Sequence, residues 1–313
     1  MEAEELAQTR TFNEQLEQIL AVMPPISSYP PDVTRKARAE GRGGFPAPER
    51  VKEAVDRTVP ARDGRDISVR VLVPPGEVLG VYFHIHGGGH TLGTAWENDV
   101  GLWRMARHSH VATVSVEYRL APEHPFPAGP DDCEDAALWL VEKARAEFDT
   151  ERLVIGGESA GAHLCALTLL RLRDRHGITG AFSGANLVYG AYDLSGTPSA
   201  RQWDRNLILN RDNLEWFGDN LLPGIDREER RDPEISPLFA DLHDLPRALF
   251  TVGTLDPLLD DSLFMYERWK AAGNEARLDV YQDAIHGFNA FPLLIAKRAN
   301  LAQEAFVAEI VSG

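Results

Sequence analysis

The sequence predicts an α/β fold, a mostly parallel sheet with helices packed on both faces. Two patterns in its 313 residues carry this expectation. Eight apolar or alternating runs have the length and period of strands, at about residues 54–60, 67–73, 79–85, 111–116, 153–156, 185–189, 248–252 and 277–281. Helix-length segments separate most of the later runs, at about 98–109, 130–147, 160–176, 260–272 and 292–311. Strands that alternate with helices favour parallel pairing with both sheet faces covered.

In chain order, residues 1–45 read as one or two helices broken at Met23-Pro24-Pro25, because proline interrupts a helix. A loose segment follows, from Gly41-Arg42-Gly43-Gly44 to Pro48. The first two or three strands lie close together with no helix between them, so they are expected to pair antiparallel at one edge. In the last helical segment Leu294, Ala296, Ala299, Leu301 and Phe306 are spaced for helical faces. Residues 195–233 break the alternation. They are rich in charge, tryptophan and asparagine and hold one short helical piece at about 212–222. Such an insertion belongs over the carboxyl end of the sheet, where open α/β sheets bind ligands. With residues 1–45 it is expected to form a cap over a core of 46–194 and 234–313.

Composition narrows the function. Hydrophobic residues make up 43% of the chain, enough for a sizeable core. A formal net charge of −16 disfavours nucleic acid and anionic lipid as partners. No apolar run reaches the length of a membrane span, so no stable membrane insertion is expected. The opening residues MEAEELAQTR lack a basic-then-apolar leader pattern. The two cysteines, Cys133 and Cys165, read as buried thiols in helices rather than a disulfide framework. A cytoplasmic location is the expectation. There is no H-E-x-x-H and no carboxylate set with ligand spacing, so neither metal nor cofactor is expected.

The chemistry concentrates in three places. Gly157-Glu158-Ser159-Ala160-Gly161 matches G-x-S-x-G between a strand and a helix. A serine on that sharp turn has a strained backbone, and the small neighbours relieve the crowding. The following helix points its free N–H groups at the hydroxyl. An ordinary helix N-cap serine is the alternative for this motif alone. His86-Gly87-Gly88-Gly89 ends the strand near Ile85. Gly88 and Gly89, with the N–H of Ala160, are the candidate oxyanion donors. No G-K-[ST] and no dinucleotide fingerprint accompany the glycines. His86 reads as a structural residue whose ring pins the loop.

In serine hydrolases built on such an elbow, the acid and then the histidine follow the nucleophile. His286, before Gly287-Phe288 and just after the last strand, is the candidate base. His163 is expected to pack on its helix, His176 to be solvated at a helix end, and His243 to sit in a charged loop. Asp256, in Gly253-Thr254-Leu255-Asp256-Pro257, is the favoured acid, and Asp193 stays open as its rival. Asp260 and Asp261 suit N-capping of the next helix, and Asp283 lies too near His286 in sequence for easy pairing.

Together these residues resemble the hormone-sensitive-lipase-like esterases, bacterial family IV. The matching pieces are His86-Gly87-Gly88-Gly89, the block from Tyr118-Arg119-Leu120-Ala121-Pro122 to Ala128, Gly157-Glu158-Ser159-Ala160-Gly161, Asp256-Pro257-Leu258 and His286-Gly287-Phe288, in that family's order. The resemblance implies an eight-stranded α/β-hydrolase core with a helical cap and the triad Ser159, Asp256 and His286. It also implies activity on short- to medium-chain acyl esters, and often a homodimer formed along a sheet edge. An amidase or lactonase would use the same groups. A non-catalytic ligand-binding relative would have lost the histidine. Within the Tyr118–Ala128 block, Arg119 and Glu123 read as structural ion-pair partners. His90 departs from the aromatic or aliphatic residue usual after the glycines. Glu158 is expected to bond backbone behind the elbow. Trp96, Trp203, Trp216 and Phe217 are candidates for a pocket wall, with packing as the plainer reading.

Overall fold

The central strands are apolar along their whole length, and this decides where they lie. β3 (Gly80–Ile85) and β4 (Val111–Val116) are buried at every position. β5 (Leu153–Glu158) and β6 (Phe182–Val188) are nearly so. Strands apolar on both faces are stable only under helices on both sides. β1 (Val55–Pro60) buries one residue in six and therefore takes the edge. In the computed structural model, which describes residues 2–42 and 47–313, these strands join β2 (Asp66–Leu72), β7 (Arg247–Leu255) and β8 (Ala276–Ile285). The eight-stranded order is β1-β2-β4-β3-β5-β6-β7-β8. Gly43 and Gly44 of the loose segment lie outside the described residues.

β1 and β2 pair antiparallel, as do β2 and β4, and every other neighbour is parallel. The five residues between β1 and β2 are too few for a crossover. They close instead as a tight turn, with the Ala61 amide donating to the Arg65 carbonyl at 2.8 Å. The antiparallel edge thus holds β1 and β2, while β3 joins the parallel body.

Alternation along β3 assigns its faces. Val81, Phe83 and Ile85 pack with α4 (Ala128–Phe148) and α5 (Ala160–His176), in a layer that α8 (Leu259–Ala271) continues against β7 and β8. Tyr82 points to the opposite layer, where Leu102 and Met105 of α3 (Asp99–Ser109) meet Phe306 and Val307 of α9 (Leu294–Ser312).

α1 (Glu2–Ala21) stops just before the prolines, and α2 (Pro31–Ala39) begins on one. The buried face of α1 lies against α9 and β8. Arg10 pairs with Asp283 at 2.7 Å, and the Asn13 amide group donates to the Asp283 carbonyl at 2.8 Å. The insertion folds as α6 (Pro198–Arg201) and α7 (Arg211–Leu221). It meets the N-terminal segment through Arg205 and Glu17, 2.8 Å apart.

Four expected strands run two or more residues further than their apolar pattern, β5 to Glu158 and β7 to Leu255 among them. β6 starts at Phe182, ahead of residue 185, because Ser183 and Gly184 continue the ladder without adding apolar contrast. β8 extends past Tyr281 to Ile285 through a register shift opposite Gly253. Polar Gln282 and left-handed Asp283 (φ 57°) hide that continuation from a period-two reading. The extension matters, since it delivers residue 286 directly from the strand end.

Candidate active site

β5 leads straight into Ser159, whose backbone sits at φ 56°, ψ −119° before α5 begins. A non-glycine residue held there carries roughly 1–3 kcal/mol of strain, which its surroundings must impose. The Ser159 amide donates to the Val188 carbonyl at 2.9 Å, which ties the turn to β6. A Cβ at Gly157 or at Gly161 would overlap the Ile85 carbonyl oxygen, so neither position accepts a side chain. The elbow is thus wedged against the end of β3, with the hydroxyl on its open side.

The end of β8 supplies the imidazole. His286 Nε2 lies 3.0 Å from Ser159 Oγ, and its Nδ1 lies 2.8 Å from Asp256 Oδ2. Asp256 follows β7 and is fully buried. Its other oxygen accepts the Leu258 amide at 2.9 Å, which fixes the plane of the carboxylate. The Tyr189 ring packs on His286 at 4.6 Å. Carboxylate, imidazole and hydroxyl therefore form one chain of hydrogen bonds across three strand ends.

Other titratable groups have different work. Asp193 Oδ1 accepts the Ser195 amide at 2.8 Å and shapes the loop after β6. His163 is buried and bonds the Ile235 carbonyl at 2.7 Å, and His243 sits exposed beside Asp241. His176 differs from expectation. Its ring reaches Glu134 at 2.7 Å, in a buried carboxylate site shared with Arg62, Arg171 and Arg175. Glu158 also differs. It bonds the side chain of His84 at 3.0 Å, which in turn reaches Ser115 at 2.8 Å. Arg119 pairs with Asp132, and Glu123 with Arg35.

The glycine loop is held from below. The His86 ring stacks on Tyr118 at 4.3 Å, and its Nδ1 lies 2.8 Å from the Gly87 carbonyl. Burial pushes the His86 pKa down to about 3, so the ring is neutral and packs as an aromatic. Gly88 (φ 114°) and Gly89 (φ 60°) adopt left-handed backbone. A Cβ on Gly88 would strike the Leu92 carbonyl, and one on Gly89 would strike the Phe217 ring. Among the described residues, the amides of Gly88 and Gly89 donate to no protein acceptor. His90 is buried edge-on to His163 with ring centroids 4.9 Å apart. Burial drives the pKa of both down, that of His163 to about 4. A neutral imidazole thereby fills the place of an apolar side chain.

Gly89, Ser159 and Ala160 border one cavity of about 230 Å³, roofed by α7. Of the four aromatic candidates only Phe217 lines it. Trp216 packs against Phe217, Trp96 lies under Arg50, and Trp203 joins the cluster beside β8.

The sequence reading missed the part played by Asp261. Its Oδ1 accepts the Tyr192 and Asp193 amides at 2.7 and 2.9 Å, and its Oδ2 accepts the Thr197 hydroxyl at 2.7 Å. It therefore organises the cavity loop rather than capping its own helix, and Asp260 likewise accepts the Ser199 amide of α6. Burial raises the Asp261 pKa from 3.8 to about 7, against the opposing pull of its hydrogen bonds. The folded state thus binds a proton that the unfolded state has released between those values. Its stabilising contribution is complete below about pH 4 and is lost as pH rises to about 7. Asp261→Asn mimics the protonated form without titrating. Its stability relative to the parent should rise by about 2 kcal/mol from pH 5 to pH 8, read from urea unfolding. A pH-independent difference would place the proton elsewhere.

Among the described residues, no group of three His, Cys, Asp or Glu side chains is placed to hold a metal ion, and no helix is long and apolar enough to cross a membrane. Comparison with known proteins agrees with the geometry. A family described as alpha/beta hydrolase fold matches residues 82–290. Carboxylesterase NlhH of Mycobacterium tuberculosis is 34% identical over 283 residues, 88% of each chain. Ethyl acetate hydrolase of Pseudomonas putida is 30% identical over 242 residues, 74% of each. A solved esterase from Pyrobaculum calidifontis superposes with a TM-score of 0.84 at 31% identity, covering 95% of this chain and 98% of the other. By sequence and by fold, this chain belongs to the alpha/beta-hydrolase family, within its hormone-sensitive-lipase-like esterases.

Proposed function

We propose that the protein is a carboxylic ester hydrolase that works through a covalent acyl-enzyme, with Ser159 as nucleophile, His286 as base and Asp256 as the acid that orients it. The observation that carries this reading is the unbroken chain from Asp256 through His286 to Ser159 at hydrogen-bonding distances of 2.8 and 3.0 Å. A carboxylate at Nδ1 requires the imidazole proton there and leaves the Nε2 lone pair for the serine hydroxyl.

As Ser159 Oγ bonds to the ester carbonyl carbon, its proton passes to His286 Nε2 and the carbonyl oxygen becomes an alkoxide. The N–H groups of Gly88, Gly89 and Ala160 stabilise that charge, each worth roughly 3–4 kcal/mol of barrier. The carbonyl re-forms, the ester C–O bond breaks, and His286 returns the proton to the leaving alcohol. Water then attacks the acyl-enzyme by the same route, releasing the acid and restoring Ser159.

A cavity of about 230 Å³ suits short- to medium-chain acyl esters. The cap comprises residues 1–45 and 195–233 over a core of 46–194 and 234–313, a division supported by the Arg205–Glu17 bridge. The reading includes a homodimer formed through an edge of the sheet, whose outer strands are β1 and β8, and a cytoplasmic location, the latter in keeping with two free, buried thiols. Light scattering and cell fractionation test these two points.

The test of activity is a panel of p-nitrophenyl esters, lactones and aryl amides, run with and without an organophosphate serine probe. Short-chain esters should turn over and the probe should abolish that turnover. Inert esters beside active amides would replace the assignment with an amidase, and absence of labelling at Ser159 would remove the acyl-enzyme.

A further inference from the structure

The cavity at Ser159 is charged against the trend of the chain. The sequence carries a net charge of −16, yet the cavity wall sets four arginines against two carboxylates. Two of the arginines are already neutralised: Arg227 lies 3.1 Å from Glu215, and Arg230 lies 3.0 Å from Asp219. Arg201 of α6 and Arg211 of α7 are not. Among the described residues neither has a carboxylate within ion-pair distance, and the one acceptor of the Arg201 guanidinium is the Ser195 carbonyl at 3.2 Å. Asp193, the second wall carboxylate, spends Oδ1 on the Ser195 amide and pairs with no cation among the described residues. The same cavity that holds Ser159 and these cap arginines also carries apolar side chains, among them Leu209, Leu214, Phe217 and Leu258.

A guanidinium without a carboxylate partner is a ready donor for a planar anion, and it offers a forked pair of N–H groups that matches a carboxylate. A cavity that carries a nucleophile, apolar side chains and such donors on one wall fits a hydrocarbon arm that ends in negative charge. Resting on the ester-hydrolase reading above, we infer that the preferred substrates are esters in which one arm ends in a carboxylate. Arg201 and Arg211 hold that carboxylate while the ester carbonyl lies at Ser159. The arm can be the acyl chain, as in a monoester of a dicarboxylic acid, or the alcohol, as in an acylated hydroxy acid.

Two substrate pairs on the full chain separate these sources. Monoethyl adipate is compared with ethyl heptanoate for the acyl arm, and 5-acetoxypentanoate with hexyl acetate for the alcohol arm. Hydrolysis is followed by pH-stat titration at low ionic strength. In at least one pair, kcat/KM should favour the anion by about three- to tenfold, the range for solvent-accessible charge pairs and charge-assisted hydrogen bonds. That ratio should fall toward one in the double variant Arg201→Gln/Arg211→Gln and at about 0.5 M salt. Arg145→Gln makes the same kind of charge change on the exposed outer part of α4 and should leave the ratio as it was. Thermal melting of the double variant verifies that it is folded. An equal or faster neutral ester in both pairs overturns the inference while leaving the ester-hydrolase reading intact, as does an anion preference that survives the double substitution. No hydrolysis of any of these esters overturns both.

Discussion

Ser159→Ala is expected to lower kcat for a short-chain ester by about 10⁴-fold or more, because among the described residues no other side chain bonds the imidazole as a nucleophile. Residual turnover should stay above the uncatalysed rate, since the loop amides and the cavity still bind the ester and polarise its carbonyl. The fold should be nearly unaffected, with stability within about 1 kcal/mol of the parent, because the hydroxyl makes one partly exposed hydrogen bond and fills no core space. A companion variant checks the strain at this position. Alanine at φ 56° and ψ −119° is as strained as serine, whereas glycine tolerates positive φ. Ser159→Gly should therefore be equally inactive but no less stable than Ser159→Ala. Thermal melts and initial rates on the two proteins decide both points. Near-parental turnover in Ser159→Ala would end the acyl-enzyme proposal.

Asp256→Asn should be almost as damaging, about 10⁴-fold in kcat, and the structure gives the reason. The Leu258 amide donates to Oδ1 and will keep the asparagine carbonyl oxygen on that side. The Nδ2 group is then left facing His286. It donates to Nδ1, forces the imidazole proton onto Nε2, and so removes the lone pair that receives the serine proton. Asp193→Asn retains an oxygen for the Ser195 amide and makes no contact with His286, so kcat should change by no more than about threefold. Steady-state kinetics on the two variants ranks the acids. A severe Asp193→Asn beside a mild Asp256→Asn would transfer the role.

What the sequence carried by itself was local. Eight strands, the helices between them and the antiparallel start were legible because period and loop length are properties of short stretches. The elbow was legible because glycine at 157 and 161 around a serine, between a strand-like and a helix-like run, is a pattern five residues long, although the nearest atom that excludes a side chain there, the Ile85 carbonyl oxygen, belongs to β3. His286 stood out by its place at the end of the last strand, though β8 had to run four residues past Tyr281 to bring it there.

Choices among chemically equal groups were decided only by tertiary structure. Asp256 and Asp193 both follow strands at the same sheet end, and the path of each loop alone sets which carboxylate reaches the imidazole. Glu158 turned to His84 rather than to backbone, and Asp261 turned away from its own helix to hold the loop over the cavity. Arg10 meets Asp283 across 273 residues of chain. Such pairings depend on the relative position of segments that share no local pattern. A side chain's type states what it can bond, and the packed fold states what stands within 3 Å of it.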